Sequence, residues 1–222
     1  MREADYPMEG SLNHNMLLID SIGSAKCTCL APPSVARGDL TKINKGQIIF
    51  IGFNGHSDYD PRLCFQNFAR TSKIVGLPDG LEGLSGKLAG FPGFESRNTL
   101  LSIEIARRLD REEGTATKVG REIGDLAKGT GATHACLPPC MGISNVEENL
   151  KVIAEESGLT PFECANLTPP SILGFRMQLA LEDSANKSGV AIRLPYEVKK
   201  FEMAENNLKR ITVVSGERSF HV

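Results

Sequence analysis

The sequence predicts an α/β protein with a central domain in which strands and helices alternate around a mostly parallel sheet, followed by a C-terminal antiparallel β-meander. Three observations support this fold class. Residues 47–53 form a continuous apolar run, which is typical of a strand buried on both faces of a parallel sheet. Apolar residues at helical spacing follow this run, and from residue 190 onward short strand-like segments replace them.

Composition excludes several classes of protein. Hydrophobic residues make up 41% of the chain and charged residues 23%, which is typical of a globular protein. The net charge is -2, whereas nucleic-acid modules usually carry a basic excess, so no nucleic acid is expected as a partner. No apolar run approaches the roughly 20 residues of a membrane-spanning helix, and no signal peptide is recognisable. The sequence therefore indicates a cytoplasmic protein without direct membrane insertion.

The N-terminal part is expected to consist of a disordered lead, residues 1–14, and the start of the central domain, residues 15–188. Within that domain, residues 16–19 and 25–30 predict two short strands joined by a turn at Gly23. The second of these segments alternates apolar and polar residues, as a half-buried strand does.

A helix is predicted after the buried strand. Asp60 and Pro61 are residue types favoured at an N-cap and at the first helical position, so the helix should begin there and reach about Arg70. Residues 76–93 are interrupted by glycines and are predicted to be irregular. The elements predicted next are helices over 97–109 and 116–128 and a strand over 134–137.

Two further helices precede the meander. Residues 144–147 have the spacing of a capping box, which predicts a helix from there to Gly158. Another helix is predicted from Ser171 to about Lys187. The meander itself is predicted over residues 189–222, with strands near 190–193, 196–203 and 208–214.

Gly52 and Gly55 lie where the buried strand gives way to a helix. Backbone amides and the helix dipole at such a turn can bind an anion, so both glycines are candidate substrate-binding residues. Their spacing is not the G-x-G-x-x-G of a dinucleotide-binding fold. On residue types alone, a tight turn without a ligand is the favoured interpretation.

Ser171 and Arg176 form a second candidate anion site. Ser171 is placed at a helix N-cap, with Thr168 just before it and Arg176 within the next two turns. An arginine fork close to free helix amides would bind phosphate or carboxylate. On residue types alone, a surface arginine on an ordinary capped helix is the favoured alternative.

His56 is the candidate acid–base group, and His134 is the alternative that residue type leaves open. Imidazole is the side chain most often used for proton transfer near neutral pH. Asp58 lies two residues further on, but its residue type is more typical of a turn or a helix cap than of a catalytic partner.

The cysteines suggest a metal or thiol site. Cys27 and Cys29 would have to combine with Cys136 and Cys140 to hold a zinc ion. Zinc sites prefer closer C-x-x-C pairs, and free cysteines are among the most buried residues. Buried thiols are therefore the favoured interpretation, and no metal is expected.

Three stretches, taken in order, resemble one known family: the B subunit of the anaerobic, quinone-linked glycerol-3-phosphate dehydrogenases, which are flavoproteins. They are residues 47–59, residues 105–113 with 137–142, and residues 169–178 with 197–200. The Pro-Pro-Ser-x-x-Gly-x-Arg string in the third stretch is the most specific of these motifs. Order and spacing agree over about residues 15–222.

The resemblance implies a flavin-dependent oxidation of sn-glycerol 3-phosphate to dihydroxyacetone phosphate, with electrons passed through an iron–sulfur subunit towards quinone. It also implies that the chain matches the middle region of the family only. A nucleotide-binding unit would precede residue 1, and a flavin-binding segment would follow Val222. The flavin, FMN or FAD, is then expected in the full-length protein and not in this chain, which would be inactive alone. Membrane association would arise through partner subunits.

For single residues, the resemblance favours Arg176 and the helix amides near Ser171 as phosphate ligands and leaves His56 as the nominee for the base that takes the hydroxyl proton. The meander would return beside the adenine end of the flavin, near Val198. The chain would then be the cap or substrate domain of a dehydrogenase subunit. Two other hypotheses stay open: a non-catalytic docking module for partner subunits and, with less support, a zinc or thiol module.

Overall fold

The computed structural model describes residues 6–43, 46–75, 81–88, 90–94, 99–165, 171–192, 194–215 and 218–221. The chain divides into two compact units, Met1–Ala180 and Leu181–Val222, with the division inside the last helix. The first unit contains a parallel sheet with alternating helices, and the second contains antiparallel strands. The predicted α/β class with a C-terminal antiparallel meander is therefore confirmed.

The structure defines strands and helices along both units. In chain order they are β1 Glu9–Gly10, β2 Met16–Ile19, β3 Ala25–Thr28, β4 Leu30–Ala31, α1 Pro33–Ala36, β5 Gly46–Phe53, α2 Pro61–Val75, β6 Leu81–Leu88, α3 Ser102–Arg111, α4 Thr115–Ala127, β7 Ala132–Leu137, α5 Val146–Ser157, β8 Thr160–Glu163, α6 Ile172–Lys187, β9 Glu197–Ala204, β10 Asn207–Ser215 and β11 Arg218–His221. The β2–β3 pair is antiparallel, which confirms the predicted hairpin.

The main sheet has four parallel strands in the order β6-β5-β7-β8. Strand β6 lies on one side of β5, and β7 and β8, which follow later in the chain, lie on the other side. The strand order therefore reverses between β5 and β7. In open parallel sheets such a reversal leaves a crevice at the carboxyl ends of the strands, where ligands commonly bind. We call this side of the sheet the carboxyl edge; it comprises the residues at and just after the ends of β5 to β8.

Alternate side chains of β5 enter two separate cores. Ile49, Ile51 and Phe53 pack in one cluster, and Ile48 and Phe50 pack in the other. All five are completely buried, as the continuous apolar run predicts. Helices α3, α4 and α5 contribute buried residues to the first cluster, whereas α2 contributes to the second. Among the described residues, no helix has both the length and the apolar character that a membrane span requires.

The start of the chain differs from the disordered lead predicted over residues 1–14. From residue 6 onward it makes specific contacts. Tyr6 is buried, and its hydroxyl donates to the carbonyl oxygen of Leu173 at 3.2 Å. Strand β1 pairs antiparallel with β4. Terminal segments are ordered where they pair with or pack on the rest of the domain. Because these contacts join distant residues, no local sequence pattern predicts them.

Strand β6 is the main error of the sequence prediction, which gave residues 76–93 as irregular. Its glycines, which weaken the strand pattern, are required by packing. A Cβ atom on Gly86 would lie 2.2 Å from Cδ2 of Leu126, and one on Gly83 would lie 3.1 Å from the ring of Phe50. The strand predicted over 190–193 is also wrong, since residues 190–192 form no strand.

Helix α5 begins where it was predicted, but its cap is different. The expected capping box would have Ser144 as the N-cap residue, whereas the structure has Asn145 there, without a side-chain capping bond. Instead the carboxylate of Asp110, on α3, accepts hydrogen bonds from the amides of Ile143, Ser144 and Asn145 at 2.8, 2.9 and 3.1 Å. A carboxylate at a helix N-terminus is stabilised by the helix dipole, whichever element it comes from. Gly158 ends the helix, as predicted, and adopts the left-handed conformation.

The second unit is an antiparallel sheet in the order β9-β10-β11. Bulges in the β9–β10 pairing bring apolar residues onto one face, where Val198 is opposite Val213, Phe201 opposite Ile211 and Met203 opposite Leu208. We call this set the apolar meander face. Its members on β9 are more than half exposed. The opposite face carries Glu202, which forms ion pairs with both Lys200 and Arg210.

Gly52 provides a test of how the end of β5 packs on α2. A Cβ atom on Gly52 would lie 2.5 Å from Cδ of Pro61, and a proline ring cannot move away as a flexible side chain could. We expect Gly52→Ala to lower the free energy of unfolding by about 1–3 kcal/mol, the usual cost of overpacking. Chemical denaturation measures this change. The control is Gly174→Ala in α6, where the new methyl group would meet only the Ser171 side chain at 3.3 Å. Equal stability of the two variants would contradict this account.

Candidate functional site

A cleft of about 300 Å³ opens at the carboxyl edge. It is formed mainly by the loop after β5, with the end of β6 on one side. Its described lining consists of Ser21, Ile22, His56, Ser57, Asp58, Tyr59, Asp60, Leu63 and Lys87. A second cavity of about 240 Å³ shares Asp60 and Lys87 with it and extends to Arg62 and Ser85. The site therefore combines a histidine, two carboxylates, hydroxyl groups and two cations.

His56 is the buried titratable group of the cleft. Its residue is 8% exposed, and Nε2 lies 2.9 Å from Oγ of Ser102. Nδ1 is buried and has no hydrogen-bond partner among the described residues. Burial lowers the pKa of the imidazole to about 4, although the nearby Asp58 carboxylate opposes this shift. Lys87 contributes a smaller lowering of the same pKa. The ring is therefore neutral at pH 7.

The position of His56 follows from a short turn after β5. Gly55 adopts φ of 78°, a conformation that a residue with a side chain rarely takes, and the turn brings His56 under α3. Its backbone forms an isolated bridge with Leu100, just before that helix. The amide of Ser102 donates to Oδ2 of Asp58 at 2.8 Å. Asp58 therefore caps α3, which agrees with the capping interpretation, and it also lines the cleft.

Near the turn that contains Gly52 and Gly55, amides that could bind an external anion are already hydrogen-bonded within the protein. The amides of Arg62 and Leu63 at the start of α2 already donate to Oδ1 of Asp60, at 2.8 and 3.3 Å. The predicted N-cap role of Asp60 is thus confirmed. Because Gly52 is in contact with Pro61, it serves packing and not close approach to a phosphate. The turn consequently does not fit the pyrophosphate of a flavin dinucleotide.

Arg176 has an internal anion as its partner. Its guanidinium forms an ion pair with Glu163 at 2.6 Å, and Nε donates to the carbonyl oxygen of Gly142 at 2.8 Å. Both charged side chains are at least 95% buried. Oε1 of Glu163 also accepts the amide of Met141 at 2.8 Å. This pair therefore fixes the loop after β7, next to the point where the strand order reverses.

Ser171 and Thr168 were predicted to assist Arg176. Oγ of Ser171 accepts the amide of Gly174 at 3.0 Å, so Ser171 caps α6 as the sequence predicts. Thr168 lies outside the described residues. In the part of the chain that the structure describes, neither Ser171 nor Arg176 lines the two cavities at Lys87. The structure thus brings His56 to the cleft and places Arg176 elsewhere.

Comparison with curated proteins gives a consistent result. The chain is 27% identical over 209 residues to the B subunit of anaerobic glycerol-3-phosphate dehydrogenase from Actinobacillus pleuropneumoniae serotype 5b (strain L20), over 94% of this chain and 47% of that protein. The same subunit of Vibrio cholerae serotype O1 (strain ATCC 39541 / Classical Ogawa 395 / O395) is 26% identical, over 77% of this chain and 38% of that protein. The same subunit of Aliivibrio fischeri (strain ATCC 700601 / ES114) is 27% identical, over 77% of this chain and 36% of that protein. The chain resembles the B subunit of anaerobic glycerol-3-phosphate dehydrogenase.

The resemblance to this dehydrogenase subunit is partial in length. The chain spans 36–47% of these three relatives, so it corresponds to less than half of each. No family model matches the chain. No solved structure matches it significantly either. The resemblance inferred from the sequence motifs is confirmed by these relatives.

Several residues at the carboxyl edge were missed by the sequence analysis. Lys87 was missed because β6 was predicted to be irregular. Glu163 was missed because β8 was not predicted at all. One signal was present: Glu163 is a charged residue between Phe162 and Cys164, which suggests a buried charge with a partner. Ser102 carried no signal, since only the fold brings it to His56.

The cysteines divide into two groups. Cys64, Cys136, Cys140 and Cys164 are buried free thiols, as predicted, and burial raises the pKa of Cys136, Cys140 and Cys164. The prediction of burial is wrong for Cys27, which is exposed, and Cys29 is half-buried. Cys27 lies on β3, which among the described strands pairs with β2 alone. Among the described residues, no group of three or more His, Cys, Asp or Glu side chains is suited to hold a metal ion.

Val198 was assigned to the flavin through the resemblance to the glycerol-3-phosphate dehydrogenases. It lies on β9 opposite Val213 and is 59% exposed. No polar group of the described apolar meander face accompanies it that would recognise a particular ligand. Its surroundings are those of a packing surface.

Proposed function

We propose that this chain is the substrate-binding part of a dehydrogenase subunit that oxidises sn-glycerol 3-phosphate to dihydroxyacetone phosphate. The resemblance to the anaerobic glycerol-3-phosphate dehydrogenases supports the reaction, and the cleft at the carboxyl edge supports the site. The observation that carries the proposal is the neutral His56 imidazole in that cleft, whose Nδ1 has no partner among the described residues. The two cavities at Lys87 offer room for a small phosphorylated alcohol.

His56 is the proton acceptor in this proposal. Oxidation of the secondary alcohol removes hydride from carbon and a proton from the hydroxyl group, and the proton requires a base. With the ring proton on Nε2 and donated to Ser102, Nδ1 carries the free lone pair; because this atom is buried, the proposal requires a small shift of the loop after β5 to bring the hydroxyl group to it. A pKa of about 4 makes the ring available but weakly basic. A phosphate dianion bound nearby would favour the protonated ring and so increase its basicity.

The hydride acceptor belongs to another part of the protein in this proposal. The turn at Gly52 does not fit a flavin pyrophosphate, so no step is assigned to a flavin on the described residues. The flavin, as FMN or FAD, would be held by sequence beyond this chain, as the family resemblance implies. Electron transfer to an iron–sulfur subunit and quinone, and membrane association through that subunit, belong to the same proposal.

The two predicted domains have separate roles here. Residues 15–188 would form the cap or substrate domain, and residues 189–222 would return to a flavin-binding domain. The apolar meander face supports the second assignment, because exposed sheet faces of this kind are usually covered by protein. The same face would serve the alternative, a docking module without catalysis. The two functions differ in whether His56 affects turnover.

Replacement of His56 tests the proposal. In the complete natural protein, assembled with its partner subunits, we expect His56→Gln to lower kcat for glycerol 3-phosphate about 100-fold or more, as loss of a general base usually does. Steady-state kinetics over a range of pH measures this effect. The control is His14→Gln, because His14 is exposed and outside the cleft. An unchanged kcat and pH profile in the His56 variant would refute the catalytic role and favour the docking module.

A further inference from the structure

Two cations at the carboxyl edge have no described ion-pair partner. Lys87, at the end of β6, lines both cavities, and Arg62, at the start of α2, lines the second. Both residues are exposed. Neither side chain forms an ion pair with a described residue, although Asp58 and Asp60 lie along the same cleft. These cations are therefore free to bind an anion.

The nearby carboxylates do not cancel this positive charge. Asp58 accepts the amide of Ser102 at the start of α3, and Asp60 accepts the amides of Arg62 and Leu63 at the start of α2. Each carboxylate is thus offset by the positive end of a helix dipole. Lys87 and Arg62 line the cavities and have no carboxylate partner among the described residues.

The position of Lys87 relates the cationic end of the cleft to His56. It is the cation that belongs to both cavities, and it lines the first of them together with His56. A molecule with a phosphate at Lys87 would therefore extend its other end towards the imidazole. The hydroxyl group of Ser85 lies along the second cavity and can donate to a phosphate oxygen.

We propose that Lys87 and Arg62 bind the phosphate group of the substrate and thereby place its hydroxyl group at His56. The identity of the substrate as glycerol 3-phosphate rests on the function proposed above, whereas binding of a phosphate at Lys87 does not. In this proposal Lys87 and Arg62 take the phosphate-binding role that the sequence suggested for Arg176, because the guanidinium of Arg176 forms a buried ion pair with Glu163. Lys87 acts as a compact point charge and Arg62 as a fork, and both types of phosphate contact are common in proteins.

The first measurement is the affinity of the complete natural protein for inorganic phosphate, by calorimetry. We expect Lys87→Met to raise the Kd about 10–100-fold, the range for loss of a hydrogen-bonded charge. Arg62→Met should have an effect in the same direction, and Lys87→Arg, which keeps the charge, should retain most of the affinity. The control is Lys118→Met, at an exposed lysine of α4. Absence of phosphate binding, or an equal Kd in the Lys87→Met and control variants, would overturn the proposal.

The second measurement separates this proposal from the proposed function. For the assembled enzyme, Lys87→Met should raise KM for glycerol 3-phosphate by a factor similar to the rise in the phosphate Kd. If the enzyme oxidises glycerol 3-phosphate and the variant leaves KM unchanged, the phosphate site is wrong and the function stands. If the wild-type protein binds phosphate through Lys87 but does not oxidise glycerol 3-phosphate, the site stands and the function is wrong.

Discussion

Arg176→Met should lower the free energy of unfolding by about 3–5 kcal/mol, the usual cost of leaving one member of a buried ion pair without its partner. The Arg176 and Glu163 side chains are 5% and 0% exposed. Removal of the guanidinium leaves the Glu163 carboxylate buried, with only the Met141 amide as a described charge-stabilising donor. It also removes the donors to the Gly142 carbonyl oxygen. Denaturant unfolding followed by circular dichroism measures the loss.

Two companion variants make this test specific. The double replacement Arg176→Met with Glu163→Gln should recover much of the lost stability, because no lone charge then remains buried. Arg37→Met breaks an ion pair with Glu147 whose side chains are 34% and 43% exposed, and it should cost less than about 1 kcal/mol. If Arg176→Met instead leaves stability intact and weakens phosphate binding, Arg176 is a substrate ligand and its assignment to the internal pair is wrong.

The structural role of this ion pair concerns the loop after β7. Glu163 and Arg176 bind the Met141 amide and the Gly142 carbonyl oxygen, and Asp110 binds the amides that follow. A Cβ atom on Gly142 would lie 2.7 Å from both Asp110 Oδ1 and Asn149 Nδ2. The backbone there is therefore fixed on every side. Arg176 therefore holds this loop in place and does not line either cavity at Lys87.

Regular patterns made part of the fold predictable from sequence. The apolar run of β5 predicts a strand buried on both faces, and helical spacing predicts the helix over 116–128, which buries Val119 and Ile123 on one side of α4. Both were found as predicted. Local capping residues were equally informative at Asp60 and Ser171, where the side chain bonds amides two or three residues ahead.

The remaining elements depend on contacts between distant residues. Strand β6 carries Gly83 and Gly86 because aromatic and leucine side chains fill the space above them, whereas in a local sequence window glycines are more typical of turns. The cap of α5 comes from Asp110, which is far away in sequence. No local pattern encodes either relationship.

The candidate site also combines features that the sequence could show with features that only the folded chain creates. His56 could be nominated from its residue type and its place after a buried strand. Its contact with Ser102, its burial and its proximity to Lys87 arise only when β5, β6 and α3 come together. For Arg176, in contrast, the sequence suggested a ligand-binding role that its contacts in the structure do not support. Sequence could show an arginine near a helix N-terminus but could not show that Glu163, on a strand that was not predicted, already supplies its anion.

Burial of a neutral imidazole should also make stability depend on pH. The pKa of His56 is lowered from 6.5 to about 4 in the folded protein by desolvation. Between these values the unfolded chain binds a proton that the folded protein does not, so the free energy of unfolding falls as the pH is lowered through this window. Above pH 6.5 the contribution is fully present, and below about pH 4 its loss is complete. The total change is about 3 kcal/mol.

The His56→Gln variant isolates this contribution. Denaturant unfolding at a series of pH values between 4 and 7 should show a shallower slope for His56→Gln than for the wild type, whatever its stability at neutral pH. Carboxylates also titrate near the acid end, but they are common to both proteins and cancel in the difference. The half-buried His134 acts in the same direction and cancels likewise, because burial lowers its pKa too. The control is His14→Gln, the same replacement at an exposed position outside the cleft. Parallel curves for His56→Gln and the wild type would mean that the folded protein binds a proton at His56 as readily as the unfolded chain does, and the imidazole would then be too well solvated to act as the buried base of the proposed site.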